Sequence, residues 1–309
     1  PLKGFNRKIL TIGFKKLFIN NKGLKKLIGD LKKKISYKDI GFKIGPLINS
    51  SGRMAKANDV VELFLTQDDD KIENIIDKIN SCNLTRKRIE QENLDLVDIK
   101  KYNNKNVIFI FNKEFHEGII GIIAAKLSQI FSKPCFVVTE SQNLLKCSIR
   151  SQNNIKINKT INKLFENKLI ISGGGHDEAG GFSAKKECLR DIEKFINKEF
   201  KNIDTKDYSY FDSFTIFPKK NSSIVSDLKS LEPFGKNNPE PIFYFKNIKS
   251  IKSEIINKRH VQNIFKNKSG RTIKSISFDC VNSELGNYLL NFKKEFDLVA
   301  CIVENNWNN

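Results

Sequence analysis

The stretch ISGGGHDEAGG (171–181) places three consecutive glycines directly before one of the three histidines of the chain. Glycine adopts positive φ without a Cβ clash, so the backbone N–H groups of Gly174 and Gly175 could turn inward and bind an anion. His176 would add a donor, because an imidazole can bond a phosphate oxygen and can gain charge near neutral pH. A tight hairpin turn with an exposed histidine explains the same residues, and both interpretations stay open.

A second group of phosphate-binding residue types lies in KCSIRS (146–151). A strand here would place Lys146, Ser148 and Arg150 on one face by period-two alternation, with Ser151 at its end. Ammonium, hydroxyl and guanidinium groups all donate to phosphate, and arginine offers a bidentate fork. A solvated strand face is the alternative interpretation.

HEGIIGIIAAKL (116–127) predicts a strand end that leads through His116 and Gly118 into a helix. The N-terminus of a helix presents free N–H groups and therefore favours an anion. Ordinary packing of strand against helix, with Gly118 and Gly121 allowing close approach, is the slightly favoured alternative.

A polar segment, GFKIGPLINSSGRM (41–54), is dense in Gly, Pro, Asn and Ser and is predicted to be a loop. Asn49, Ser50, Ser51 and Arg53 on such a loop could grip a sugar-phosphate backbone. Polar loops are more often only solvated, so this prediction depends on the other segments.

Hydrophobic periodicity predicts helices, then an α/β unit, then a β-rich end. Two short basic helices are expected between Ile9 and Ile35, a helix over 57–65, and a long helix over 69–100 that suits a strut. The α/β unit follows, with strands over 106–111, 134–139, 144–151, 169–172 and 179–184 and helices over 118–131, 157–167 and 186–200. From about Pro241, five or so short aromatic strands and a helix over 285–292 suit an OB-type β-barrel.

Composition and charge indicate which classes of partner and which compartment the chain fits. A formal charge of +19 over 309 residues makes nucleic acid the leading partner class, although an AT-rich genome can inflate lysine everywhere. The six cysteines form no C-x-x-C pair, which fits small buried side chains in a reducing compartment. No apolar run approaches the roughly 20 residues of a membrane span, and no signal-peptide pattern opens the chain. We therefore expect a cytoplasmic protein without a membrane partner.

These segments in their order carry a resemblance. IGPLINSSGR, HEGIIGIIAAKL, KCSIRS, GGGHDEAGG, LEPFGKNNPEPIF and ENNWN together resemble the RecJ family of single-stranded-DNA-specific exonucleases over almost the whole chain. PLKGFNR (1–7) resembles the segment that follows the last metal-binding aspartate of the family's catalytic DHH domain. The resemblance implies an α/β fold, with a DHH-associated α/β domain joined by a long connector helix to preceding helices and followed by an OB-type barrel. The implied division is 1–68 (end of the DHH domain), 69–103 (connector helix), 104–203 (DHH-associated domain) and 204–309 (OB-type barrel, truncated at its C-terminus).

The resemblance also implies a division of labour. Two metal ions, Mn²⁺ or Mg²⁺, would be bound by a missing N-terminal segment, so we expect neither a catalytic residue nor a metal ligand here and no cleavage by this chain alone. The isolated histidines at 116, 176 and 260 agree with this expectation, because they share no ligand spacing with carboxylates.

By resemblance, Ser148 and Arg150 would hold the terminal 5′-phosphate of single-stranded DNA, and Arg53 would contact the nucleotide chain. Gly174, Gly175 and His176 would line the substrate side of the cleft. A pocket that ends the groove would select 5′ ends and give a 5′-to-3′ exonuclease of DNA repair and recombination. A single-strand-binding protein or a helicase would be a further partner, which the residues do not identify.

The chain departs from the family pattern at several positions. Asp177 and Glu178 follow the histidine, where small or apolar residues are usual, so at least one should face solvent. Asn237 replaces a usual glycine, and asparagine tolerates the left-handed backbone that such a turn requires. Barrel aromatics, namely Phe243, Phe245, Phe265 and Phe278, could stack bases, although alternation sends many such rings into the core.

Two other functions stay open at this point. A stand-alone, non-catalytic single-strand-binding protein would use the same basic groove. An oligonucleotidase or phosphatase of the same superfamily would share the glycine-histidine domain but would lack the segment PFGKNNPEP (233–241) and the barrel.

Overall fold

A computed structural model describes residues 2–16, 21–29, 35–152, 155–202, 210–218, 223–292 and 294–304. The chain divides into two compact units. The helix–sheet unit is Lys16–Asp207, and the barrel unit is Pro1–Lys15 together with Tyr208–Asn309. The domain division at 68, 103 and 203 stays a prediction.

The helices that precede the sheet are α1 (Gly4–Lys16), α2 (Lys22–Ile28), α3 (Tyr37–Asp39), a π-helical turn (Ile40–Ile44), α4 (Gly45–Met54), α5 (Asn58–Leu65) and α6 (Asp69–Asp95). Of these, α2, α4 and α5 pack against the long helix α6. On α6, Ile72, Ile75 and Ile79 are buried with Leu63 of α5 in one apolar cluster. The predicted strut is thus present, but it ends at Asp95 and a short 3₁₀ turn (Ile99–Tyr102) follows.

The predicted loop over 41–54 is wrong, because this segment is helical as far as Met54. Pro46 lies in the first turn of α4, directly after the π-helical turn in which the Gly45 N–H donates to the Ile40 carbonyl oxygen. Ser50 and Ser51 are buried; the Ser50 hydroxyl donates to the Leu47 carbonyl oxygen at 2.6 Å and the Ser51 hydroxyl to the Lys56 carbonyl oxygen at 2.9 Å. These serines therefore hold the helix in place and do not grip a ligand.

The helix–sheet unit is built on a five-stranded sheet in the order β1-β2-β3-β5-β4. Its strands are β1 (Ile108–Phe111), β2 (Cys135–Ser141), β3 (Leu144–Arg150), β4 (Ser172–Gly175) and β5 (Ala179–Ala184), and its helices are α7 (Ile120–Phe131), α8 (Ile157–Glu166) and α9 (Leu189–Glu199). β1 and β2 are parallel and the other pairs are antiparallel. Leu145, Cys147 and Ile149 of β3 are buried with α8 and α9, so Lys146, Ser148 and Arg150 lie on the other face, where α7 packs.

The barrel unit contains a second sheet in the order β10-β7-β8-β9, curled into a half-barrel, with β6 paired in parallel to β7. Its elements are β6 (Ser213–Phe214), α10 (Ile224–Ser230), β7 (Ile242–Ile256), β8 (His260–Asn267), β9 (Thr272–Ser277), α11 (Glu284–Asn291) and β10 (Phe296–Cys301). The loop before β7 brings Asn237 to φ +68°, which confirms the predicted left-handed asparagine. In the segment ENNWN, the residues beyond Glu304 lie outside the described residues.

Of the six cysteines, Cys135, Cys147 and Cys280 are buried as predicted, Cys82 and Cys188 are half-buried, and Cys301 is exposed. In the described residues no helix is long and apolar enough to cross a membrane.

Candidate nucleic-acid interface

Two of the predicted phosphate-binding segments meet where α7 begins. Gly121, in the first turn of α7, lies directly against Ser148 and Arg150 of β3. A methyl group added at Gly121 would lie 3.1 Å from Ser148 Oγ and 3.3 Å from Arg150 Nη2. Arg150 Nη1 donates to Ser148 Oγ at 3.2 Å and to the Ile149 carbonyl oxygen at 2.7 Å, so the guanidinium is folded back toward the helix N-terminus.

Arg53 of α4 also reaches the start of α7. Arg53 Nη1 donates to the Gly118 carbonyl oxygen at 2.9 Å. A Cβ at Gly118 would lie 2.3 Å from the Arg53 carbonyl oxygen, so only glycine allows this approach. His116 is half-buried beside it, and its Nδ1 accepts the Gly118 N–H at 3.1 Å. The sequence left close packing and ligand contact as alternatives for Gly118 and Gly121. In the structure both glycines pack closely, and this packing brings the donor side chains of Arg53, Ser148 and Arg150 to the start of α7.

Positive charge gathers at the start of α7, where Arg53 and Arg150 lie near each other. Burial, together with the nearby charge of Arg53, lowers the pKa of the Arg150 guanidinium. Among the described residues no carboxylate forms an ion pair with either arginine. Two close guanidinium groups that lack a carboxylate partner are stabilised by an anion between them. We call Arg53, Ser148 and Arg150, around Gly118 and Gly121, the anion cluster.

Lys146 lies on the same face of β3, two residues before Ser148. Its Nζ donates to Ser183 Oγ at 3.0 Å, and Ser183 of β5 is paired with Ser172 of β4. Sequence reasoning missed Ser183, although period-two alternation from Gly181 would have placed it on this face.

The predicted nest of glycine amides is wrong, since Gly173, Gly174 and Gly175 form the edge strand β4 and none of them has positive φ. The alternative interpretation, a hairpin turn with an exposed histidine, is confirmed, because residues 176–178 connect the antiparallel strands β4 and β5 and His176 is exposed. The strand over 169–172 is accordingly shifted to Ser172–Gly175. A Cβ at Gly173 would lie 3.1 Å from Ile161 Cγ2, and one at Gly180 would lie 2.5 Å from Ile161 Cδ1. The glycines therefore allow α8 to pack closely on the sheet, and no inward nest of amides forms here.

The opposite face of β4 is open. A Cβ at Gly174 would meet no atom within 4 Å, and the register places Gly174, Gly181 and Ser148 in one row. His176 continues the next row, because its N–H donates to the Ala179 carbonyl oxygen at 2.8 Å and Ala179 is paired with Arg150. Directly paired residues project from the same face, so this register puts position 176 on the same side of the sheet as Arg150.

Two further predicted site residues, Asn49 and Ser151, and the two acidic residues after His176 differ in exposure. Asn49 is exposed one helical turn before Arg53 on α4, and Asp177 and Glu178 are both exposed, as expected of at least one. Ser151 is buried, and its hydroxyl donates to the Ile155 carbonyl oxygen at 2.7 Å, which leaves it apart from the anion cluster.

The barrel unit has a lysine-rich outer surface. Lys249 is paired with Lys266, and Lys252 and Lys274 flank Ile264 across β7, β8 and β9. All four lysines are exposed, and we call them the basic face. The sequence showed these lysines, but only the register brought them together.

The predicted base-stacking rings are mostly core residues. Phe245 and Phe265 are buried and Phe243 packs against the same core, whereas Phe278 is 71% exposed. His260 packs edge-on against Phe278, and its Nδ1 accepts the Asp279 N–H at 2.8 Å. Sequence reasoning missed an aromatic cluster in which the exposed rings of Phe211 and Phe214 pack with half-buried Tyr244, at centroid distances of 4.7 to 5.1 Å.

Within the described ranges, no group of three or more His, Cys, Asp or Glu side chains could hold a metal ion. The side chains in the described part of the chain therefore do not fit a divalent metal.

Comparison with known protein families identifies two domains. The DHHA1 domain family matches residues 104–202, and the RecJ OB domain family matches residues 215–309. The chain is 25% identical over 328 residues to the single-stranded-DNA-specific exonuclease RecJ of Bacillus subtilis (strain 168), covering 100% of this chain and 40% of that protein. RecJ of Thermus thermophilus is 23% identical over 251 residues, covering 79% and 36% respectively.

Solved structures agree on the fold. Crystal structures of RecJ from Thermus thermophilus in complex with Mn²⁺ and with Mg²⁺ match at TM-scores of 0.83 and 0.82, each with 22% identity. The match covers 100% of this chain and 45% of the Mn²⁺ chain. The chain thus spans less than half the length of these relatives. With a DHHA1 domain, a RecJ OB domain and relatives that match it from end to end, the chain is RecJ-like.

Proposed function

We propose that this chain is the part of a single-stranded-DNA-specific 5′-to-3′ exonuclease that receives the 5′ end of the strand, in the cytoplasm and in DNA repair and recombination. The observation that carries the proposal is the anion cluster. Arg53 and Arg150 lie close together beside the N-terminus of α7 with no carboxylate bonded to them in the described part of the chain. A phosphate there would relieve their repulsion and accept charge-assisted hydrogen bonds.

In this proposal Ser148 and Arg150 bind the terminal 5′-phosphate, and Arg53 binds the same group or the next one. Lys146, His116 and Asn49 extend the donor set, and the open face at Gly174, Gly175 and His176 lies beside the end nucleotide. A terminal phosphate carries more charge than an internal one, so such a pocket favours ends over internal positions. The basic face would bind another part of the strand without reading its sequence.

Hydrolysis would need Mn²⁺ or Mg²⁺ held by residues outside the described part of this chain, as two RecJ structures contain these ions. We therefore expect the chain alone to bind single-stranded DNA and to cleave none. This expectation also separates the proposal from an oligonucleotidase that acts through this chain alone.

The test compares two single-stranded oligonucleotides of one sequence, with a 5′-phosphate and with a 5′-hydroxyl. Arg150→Ala should reduce the preference for the phosphorylated strand by roughly tenfold or more, because a hydrogen bond to a charged group is worth about 1.5 to 3 kcal/mol. Arg190→Ala, which removes an exposed arginine of α9, is the matched control. If Arg150→Ala weakens both strands equally, the assignment of the end pocket is wrong.

A further inference from the structure

A buried carboxylate joins α6 to α7 outside the anion cluster. The side chain of Glu90, on α6, is only 10% exposed and lies between two cations. Its Oε2 accepts a hydrogen bond from Arg86 Nη1 at 2.7 Å, and its Oε1 lies 2.5 Å from Lys126 Nζ. Arg86 belongs to α6 and Lys126 to α7, so Glu90 forms an ion pair across the two helices.

This carboxylate is held in one orientation. Arg86 also donates from Nε and Nη2 to Asn83 Oδ1, at 3.3 and 3.1 Å, which fixes the guanidinium along α6. With one oxygen bound to Arg86, the other oxygen of Glu90 is directed at Lys126. Apolar side chains alone would allow some sliding between helices, whereas an ion pair to a buried, hydrogen-bonded carboxylate is directional.

The contact between α6 and α7 separates the two halves of the anion cluster. Arg53 is on α4, which packs on α6 through Leu47 and Ile48 and through a hydrogen bond from Ser50 Oγ to the Ile79 carbonyl oxygen at 3.3 Å. Ser148 and Arg150 are on β3, against which α7 packs. The distance between the two guanidinium groups therefore depends both on how α6 is held against α7 and on the direct hydrogen bond from Arg53 to the Gly118 carbonyl oxygen.

We propose that Glu90 is a positioning residue, which with Lys126 holds α6 against α7 so that Arg53 and Arg150 bind one phosphate together. This inference rests on the proposed function, because it concerns the same anion cluster. Neither Glu90 nor Lys126 contacts the phosphate in this account.

The experiment measures the ratio of the dissociation constants for 5′-hydroxyl and 5′-phosphorylated single strands, using the complete 309-residue chain. Lys126→Met should lower this ratio by roughly three- to tenfold, the range expected for a residue that couples two binding elements. Lys126→Arg, which keeps the charge, should retain the ratio. Lys163→Met is the matched control, because Lys163 forms the ion pair with Glu199 between α8 and α9.

A double-mutant cycle tests whether Lys126 affects the 5′-phosphate preference through Arg53. In an Arg53→Ala background, Lys126→Met should change the ratio no further, since the arginine that it positions is gone. A purely structural role would lower the melting temperature and leave the ratio unchanged. Glu90→Gln is less informative, because it removes the carboxylate partner of Arg86, whose side chain is only 11% exposed, and could prevent folding.

Three results would count against the inference. If the Lys126→Met chain has the same ratio of dissociation constants as wild type, the inference is overturned and the proposed function stays intact. The same holds if Lys126→Met lowers the ratio by the same factor with and without Arg53. A wild-type chain without any preference for 5′-phosphate removes the proposed function, and the positioning role with it.

Discussion

At the scale of single residues, the anion cluster depends on two glycines as much as on its charged side chains. Gly118 lets the backbone of Arg53 approach α7, and Gly121 leaves room beside Ser148 and Arg150. Sequence alone indicated close approach at both glycines but could not name the partners. The partners come from α4 and β3, which are 65 and about 30 residues away along the chain.

Gly121→Ala is expected to separate stability from binding. The added methyl would meet the ends of two side chains, which can move aside, while alanine in a helix is favoured over glycine by about 1 kcal/mol. Thermal unfolding should therefore show unchanged or increased stability. The preference for 5′-phosphorylated single strands should fall, because Arg150 is displaced from Ser148.

Gly52→Ala on α4 is the control for this substitution, since its added methyl would lie 3.5 Å from the Ala57 side chain, in ordinary contact. It should leave the preference for 5′-phosphate as in wild type. A Gly121→Ala chain that keeps the full preference would show that the anion is bound elsewhere.

At the scale of elements, the clearest failure of sequence reasoning was the helical segment that carries Arg53. Its Gly, Pro, Asn and Ser content is typical of a loop, yet Pro46 sits at a helix start and Ser50 is buried against α6. Local composition describes what an isolated segment prefers, whereas packing on a neighbouring helix can override a weak preference.

The entry to this segment offers a pH test. Ser36 and Asp39 form a reciprocal cap, in which Asp39 Oδ2 accepts the Ser36 N–H at 3.0 Å and the Ser36 hydroxyl accepts the Asp39 N–H at 3.2 Å. Burial raises the pKa of Asp39, but hydrogen bonds from Lys43 and Ser36 outweigh it and lower that pKa from 3.8 to about 2. The folded state therefore favours the ionised carboxylate.

Asp39→Asn should lower the free energy of unfolding by about 1 to 2 kcal/mol above roughly pH 4. The difference from wild type should shrink as the pH falls toward 2, because protonation of the folded wild type then removes the same interaction. Denaturant unfolding at several pH values measures it. A difference that stays constant down to pH 2 would contradict the assigned pKa.

At the scale of the whole molecule, the surplus of positive charge is partly organised. The barrel unit gathers Lys249, Lys252, Lys266 and Lys274 on one outer surface of its sheet. Composition could give only the net charge of +19, because the face of a strand on which a lysine lies depends on register. The bulge between Ser250 and Lys252 illustrates this, since it shifts the pairing of every residue beyond it.

Replacing Lys266 and Lys274 by glutamine should weaken binding to single strands of any sequence and lower the slope of log affinity against log salt by about one to two. The preference for a 5′-phosphate should stay unchanged, because these lysines belong to the barrel unit. Titrations at several salt concentrations measure both quantities. The control pair Lys159→Gln and Lys194→Gln removes the same charge from α8 and α9, and an equal change in slope there would rule out a specific role for the basic face.

The sequence by itself determined the α/β class, the strands around KCSIRS, the left-handed Asn237 and the resemblance to the RecJ family, because periodicity, turn chemistry and ordered segments are local properties. Only the tertiary structure decided that the three glycines form a strand edge under α8, that Phe245 and Phe265 are core residues, and that Arg53 and Arg150 lie near the same end of α7. Each of these depends on which distant residues come into contact. Contacts between distant residues are set by packing and register, which no short stretch of sequence contains.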